Sequence, residues 1–207
     1  MFIKHPDKLR ELWQDRAVPI RVAVETGTFR GVSASTLSPA VDVWHTIDIN
    51  PGCTALARKR CDAAGITNVR FHVGDSRKVL PRLLYKIQAP CLIMLDAHFS
   101  KVRRKLTPDE PDLVHDPHGA DFPLLAELEI VAARPFADII LVDDTELFGK
   151  VRPDLRARDA QGNIIDNSPQ WESMTKDKVA KALGRIKASW DLQGTTVYMR
   201  SADTEVI

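Results

Sequence analysis

Two apolar runs, Cys91-Leu92-Ile93-Met94-Leu95 and Ile139-Ile140-Leu141-Val142, constrain the fold of this chain more than any other feature. A strand with no polar residue on either side must be buried on both faces. The inner strands of a parallel sheet covered by helices meet that condition. Three further segments have strand character: Arg21–Val24, Val43–Ile47 and Val69–Val73. Helical periodicity fills the gaps between strands. Residues 53–64 stop at Gly65, a common position for a left-handed cap. Residues 76–87 carry Val79, Leu80, Leu83, Leu84 and Ile87 on one face. Another helix begins near Phe122, with Leu125, Leu128 and Ala132 in phase. Val179, Ala182, Leu183 and Ile186 mark a last amphipathic helix. Ser189–Leu192 and Thr195–Met199, around Gln193-Gly194, read as an antiparallel hairpin. The expected architecture is α/β: a mostly parallel seven-stranded sheet with a C-terminal antiparallel hairpin and helices on both faces.

The 207 residues fit a single domain over 1–207. A short helix over 6–16, with Leu9, Leu12 and Trp13 on one face, fills most of the first 18 residues. Residues 99–121 are polar, with three prolines and two histidines, His115 and His118. A loop of that length inside a compact domain is expected to be a lid or an acceptor-binding loop. Residues 149–170 form a second irregular stretch. The formal net charge of +1 gives no electrostatic case for nucleic acid or an anionic membrane surface. The local cluster Lys101, Arg103, Arg104 and Lys105 reads as a solvated loop. No apolar stretch is long enough to span a bilayer, and the N-terminus lacks the apolar core of a signal peptide. Cys53, Cys61 and Cys91 lack zinc-ligand spacing and read as buried free thiols, so a reducing, cytoplasmic setting is expected. The N-terminal segment is short, and a homo-oligomer is one way to cover the pocket it leaves open.

The chemistry sits at the strand ends. Each of the five strands ends in, or just before, an acid: Glu25, Asp48, Asp75, Asp96 and Asp143-Asp144. Single acids after strands are ordinary turn residues. A full series on one sheet edge, where ligands of parallel sheets bind, points to a site. The first turn, Glu25-Thr26-Gly27-Thr28-Phe29-Arg30-Gly31, is not the G-x-G-x-x-G pattern of dinucleotide folds. Gly27 and Gly31 would let the backbone, Thr28 included, approach a ligand. Glu25 would repel a pyrophosphate and favour a cationic amino group. S-adenosylmethionine carries such an ammonium and also a sulfonium. Asp48-Ile49 is placed to meet ribose hydroxyls, and Asp75-Ser76 suits an adenine edge.

The segment Val24–Gly31 resembles the cofactor loop of macrocin-type sugar O-methyltransferases and of cephalosporin-hydroxylase-like methyltransferases. The resemblance continues at Leu95-Asp96-Ala97-His98, at Leu124–Glu129 and at Leu141-Val142-Asp143-Asp144-Thr145, and spans roughly residues 20–148. It implies a Rossmann-like methyltransferase fold. It also implies that Asp96, Asp143 and Asp144 hold a magnesium-type ion that chelates hydroxyls of a small-molecule acceptor, a sugar or natural product. A hard cation favours such all-oxygen ligands. His98 stands where those families carry an acid, and reads as a changed base, a changed ligand or a plain loop histidine; with Asp96 it is the candidate catalytic residue, as a general base. Trp171 and Phe148 are candidates either to line an acceptor pocket or to anchor the irregular stretch to the core. Two other functions share these features: S-adenosylmethionine binding without metal-assisted catalysis, and a nicotinamide-dependent oxidoreductase, against which the missing third glycine and Glu25 both count.

Overall fold

The computed structural model of the chain describes residues 5–97, 122–150, 156–158, 164–166, 168–192 and 194–202. Five parallel strands run through its centre: β1 (Val22–Thr26), β2 (Val43–Asp48), β3 (Val69–Val73), β4 (Leu92–Leu95) and β5 (Ile139–Val142). A separate antiparallel ribbon follows, β6 (Arg156–Arg158) with β7 (Ile164–Asp166). The hairpin β8 (Ile186–Leu192) and β9 (Thr195–Arg200) then joins the main sheet antiparallel to β5. The seven strands lie in the order β3-β2-β1-β4-β5-β9-β8. The helices are α1 (Pro6–Arg10), α2 (Val32–Leu37), α3 (Pro51–Ala63), α4 (Ser76–Lys86), α5 (Leu124–Ala132), α6 (Ser168–Ser173) and α7 (Lys176–Leu183).

Alternation along each strand sends side chains into two separate cores. Val24, Ile47, Ile93, Leu95, Ile140 and Val142 pack against Leu80, Leu84, Leu128, Val131, Val179 and Leu183 of α4, α5 and α7. Ala23, Trp44, Leu92, Met94, Ile139 and Leu141 pack on the other side, against Leu9, Trp13, Leu37 and Cys61. All of β4 and β5 is buried, as their unbroken apolar composition requires. Side chains set the helix starts. Asn50 accepts from the Gly52 N–H ahead of α3, Asp75 from Arg77 ahead of α4, and Thr175 from Lys178 ahead of α7.

Four elements differ from the sequence reading. The first helix is only α1, and turns occupy residues 11–15. Strand β1 extends to Thr26 and so takes Glu25 into the strand. Ile186 belongs to β8 and not to the preceding helix, because Gly184 (φ 56°) and Arg185 (φ 50°) turn the chain out of helical geometry. The stretch 149–170 contains the β6–β7 ribbon and the start of α6. Strands of three residues are too short to show a period. The three cysteines are buried free thiols, as expected. Among the described residues no helix is long and apolar enough to cross a membrane.

The amino edge of the sheet is tied by a buried ionic cluster that the sequence reading missed. Asp138, fully buried, accepts from Arg134 Nε (2.8 Å) and from the Cys91 backbone N–H (3.0 Å). Arg200 Nη1 lies 3.7 Å from the same carboxylate and donates to the Val131 carbonyl (2.6 Å). Arg134 also donates to the carbonyls of Leu84 and Ile87. Every buried charge here has a counter-charge and hydrogen-bond partners, the condition under which burial is tolerated.

Candidate functional site

Strand order reverses between β1 and β4, since β2 and β3 lie on one side and β5 on the other. The crevice beyond the carboxyl ends of the strands at such a reversal is where open α/β sheets bind ligands. The loop leaving β1 folds over the end of β2: the N–H groups of Gly27 and Thr28 donate to the Ile47 carbonyl at 2.9 and 3.3 Å. Gly27 has φ 85°, and a Cβ there would land on the backbone carbonyl of Asp96. Gly31 has φ 67°, and a Cβ there would overlap Ala57 of α3. Both glycines are therefore required by packing within the chain, where the sequence reading assigned them to ligand approach alone. Phe29 also takes a left-handed conformation, φ 45°.

Asp48 closes the loop from the β2 side. Its Oδ2 accepts from the Phe29 N–H and its Oδ1 from the Asn50 N–H, both at 2.8 Å. Burial pushes its carboxyl up, and these backbone donors oppose the rise. Ile49 next to it is half-buried. A carboxylate has about four acceptor positions, so Asp48 retains capacity for further donors.

Glu25 lies inside β1 and does not project from the edge as the sequence reading had it. It is 1% exposed, and its Oε2 accepts from Trp44 Nε1 (3.1 Å) and the Thr46 hydroxyl (2.7 Å). Thr46 in turn stands 2.6 Å from the buried Thr28 hydroxyl. With the glutamate ionised, Thr46 donates to it and accepts from Thr28, which pins the loop to the strand beneath. Burial raises the Glu25 carboxyl to about 7, against these hydrogen bonds.

Asp75 and Ser76 open α4. Asp75 accepts from the Arg77 N–H and pairs in bidentate fashion with the Arg77 guanidinium (2.8–3.2 Å), which lowers its carboxyl. Ser76 is buried. Next to them is a residue the sequence reading left unassigned: Glu127 of α5, 0% exposed. The hydroxyls of Ser76 and Thr26 oppose the rise of its carboxyl. Even so, neither carboxylate oxygen, nor the Thr26 hydroxyl, meets a hydrogen-bond partner of full geometry among the described residues. Burial raises the Glu127 carboxyl to about 7. The phase read from Leu125, Leu128 and Ala132 hid the signal: in the structure Leu125 is 49% exposed, and the buried face of α5 is Leu124, Glu127, Leu128 and Val131.

Asp96 and Asp143 follow paired residues, Leu95 and Val142, so register brings them side by side. Asp143 accepts from the Thr195 hydroxyl of β9. Asp144, at φ 55°, precedes the 3₁₀ turn Thr145–Leu147. Thr145 ties that turn to the hairpin by donating from its N–H and hydroxyl to the Gly194 carbonyl. Desolvation, then the charges of Asp143 and Asp144, push the Asp96 carboxyl well above the usual range. Among the described residues no three His, Cys, Asp or Glu groups stand at metal-holding spacing. His98 and residues 99–121, expected to form a lid or acceptor-binding loop, with His115 and His118 among them, lie outside the described residues. Trp171 is an anchor: it is 2% exposed and packs on Phe122 (4.8 Å) and Phe148 (6.0 Å).

No family model matches the sequence, and no curated protein matches it. Solved structures do match. An O-methyltransferase of tomaymycin synthesis from Streptomyces achromogenes, in complex with S-adenosylmethionine, is 23% identical over 87% of this chain and 74% of its own, with a TM-score of 0.52. A methyltransferase from Podospora anserina, bound to S-adenosylhomocysteine, is 16% identical over 88% and 72%, with a TM-score of 0.56. An O-methyltransferase from Bacillus cereus, also with S-adenosylhomocysteine, is 15% identical over 87% and 74%, with a TM-score of 0.56. The fold is the Rossmann-like methyltransferase fold. Within this methyltransferase fold the loop 27–31, Asp48 and the Asp75-Ser76 turn of the present chain occupy the ends of three successive strands, on the edge where the strand order reverses.

Proposed function

We propose that the protein is an S-adenosylmethionine-dependent methyltransferase acting on a hydroxyl of a small molecule, a sugar or natural product. The supporting observation is the crevice at the strand reversal, with Glu25, Asp48 and Asp96 around one glycine loop on a fold shared with methyltransferases. That charge pattern favours a cationic ligand over a pyrophosphate, which weighs against a nicotinamide cofactor. Asp48, fixed by two backbone N–H groups, would accept from ribose hydroxyls, with half-buried Ile49 beside it. Asp75 and Ser76 would face the adenine end. Gly27, Thr28 and Gly31 would set the loop backbone along the ligand. Glu25 would act from beneath, holding the loop through Thr46 and Thr28 and lending negative potential to an ammonium group above. Bound there, S-adenosylmethionine would supply an electrophilic methyl group. The protein is then left with orienting the acceptor and removing its proton, with His98 as the proposed base.

The proposal extends to a divalent cation of magnesium type at Asp96, Asp143 and Asp144. The all-oxygen donor set fits a hard ion, and the Asp96 carboxyl, raised by burial and then by the charges of Asp143 and Asp144, is one that a cation would bring back down. The spacing of these acids does not form a ready cage, so no step of the transfer is assigned to an ion. The buried free thiols support a reducing, cytoplasmic setting.

Calorimetric titration with S-adenosylhomocysteine tests the central reading. Asp48→Ala should weaken binding by about 1–3 kcal/mol, the loss of a charged hydrogen bond. No binding to the parent protein, or stabilisation by NAD instead, would overturn the reading. Binding without methylation of any hydroxylated acceptor would leave a cofactor-binding protein. Cation titration of chelator-stripped protein, with Asp143→Ala and Asp144→Ala, tests the metal separately. Silence with magnesium, manganese and calcium removes it.

A further inference from the structure

Among the described residues strand β8 is the outermost strand of the sheet, and β9 is its one sheet neighbour. Its ends are anchored, Ile186 against the core on one face and Leu192 against the core on the other. Everything between, Lys187 to Asp191, is exposed on both faces, Trp190 included at 39%. At about 3.3 Å per residue, such a strand offers a ladder edge of roughly 20 Å. Natural sheets blunt edges of this kind with charged side chains, lysine above all, with proline or with bulges, and a charge on the edge is tolerated in pairing only where the partner sets an opposite charge against it. Here a bulge falls only between Ile186 and Ala188, and the run Ala188–Leu192 is regular and free of proline.

The sequence of this strand complements itself when reversed. About Ser189, Ala188 stands opposite Trp190 and Lys187 opposite Asp191. Antiparallel pairing places residues directly opposite, where opposite charges and small–large pairs stabilise. Lys187 lies in the bulge, and its long stem can span the offset. Asp191 already accepts from Lys176 and Thr196, yet its side chain is 60% exposed and open to a further donor. We propose that β8 is a two-fold interface, pairing antiparallel with β8 of a second copy about Ser189 to make one continuous sheet. The self-complementary charge pair selects a second copy over an unrelated peptide, and a shared patch on both partners is what a two-fold dimer requires. Because β8 runs in the same direction as β5, both being antiparallel to β9, the pairing turns the partner's strand ends to the opposite edge. The two crevices stay open, so the inference does not depend on the methyltransferase reading.

Sedimentation velocity over about two decades of concentration around the micromolar range tests it. The parent should show a concentration-dependent dimer. Lys187→Asp and Asp191→Lys should each be monomeric, and an equimolar mixture should recover a dimer, since each variant supplies the charge the other now needs. Circular dichroism confirms folding. Register is tested without touching Asp191: Ser189→Cys should cross-link to its own copy on mild oxidation, whereas Lys187→Cys should not. A parent that is monomeric throughout, a dimer indifferent to both charge variants, or failure of Ser189→Cys to cross-link would each overturn the proposal.

Discussion

Replacing Glu127 by Gln should make the protein more stable at alkaline pH and leave it nearly unchanged at acid pH. The side chain is 0% exposed, and its carboxyl is raised from 4.5 to about 7 by burial, with the Ser76 and Thr26 hydroxyls opposing the rise and Asp75 adding to it. Between those two values the folded chain still holds a proton that the unfolded chain has lost. Stability is therefore fully present below about 4.5, falls as pH rises through about 7, and stays at the lower level above it. At about 1.4 kcal/mol per pH unit, that interval corresponds to about 3 kcal/mol. Glutamine has nearly the same shape and no charge, so Glu127→Gln removes this drop. Urea unfolding followed by tryptophan fluorescence at pH 5, 6, 7 and 8 reads it. The variant-minus-parent difference should grow from about 1 kcal/mol at pH 5 to about 3 kcal/mol at pH 8 in favour of glutamine. Taking the difference cancels the other titrating groups, Glu25 and the His45–His72 pair among them. A difference that is flat with pH, or that favours the parent at pH 8, would show that Glu127 ionises at little cost and has a strong partner in the fold.

Asp138→Ala should destabilise by about 3–5 kcal/mol in the same assay, because Arg134 and Arg200 lose their shared carboxylate in a buried setting. A loss below about 1 kcal/mol would mean that the two arginines are satisfied by carbonyls alone. Gly27→Ala should cost at least about 2 kcal/mol, since φ 85° disfavours a side chain and the new Cβ meets the Asp96 carbonyl. It should also weaken S-adenosylhomocysteine binding, and unchanged affinity in a folded variant would detach this loop from the site.

The sequence by itself determined the layer architecture. Two unbroken apolar runs and the alternation of helical and strand periods allow few arrangements other than a parallel sheet between helices. It also determined the acids at the carboxyl edge, because strand ends are legible wherever apolar runs stop. The hairpin was legible from the Gln193-Gly194 turn, although the strand before it proved longer than its pattern. Tertiary structure alone decided what each acid touches. Glu25 reads as an edge residue by position, but pairing of β1 with β2 sets it against Trp44 and Thr46 and buries it. Gly27 and Gly31 read as ligand-facing, but the contacts that forbid a side chain there come from Asp96 and Ala57, 69 and 26 positions further along the chain. The Asp138 cluster joins residues from three separate elements, and nothing in local periodicity marks it. Period and turn chemistry are local properties that the chain carries with it. Hydrogen-bond partners and desolvation depend on which distant segments meet, and only the folded sheet fixes those.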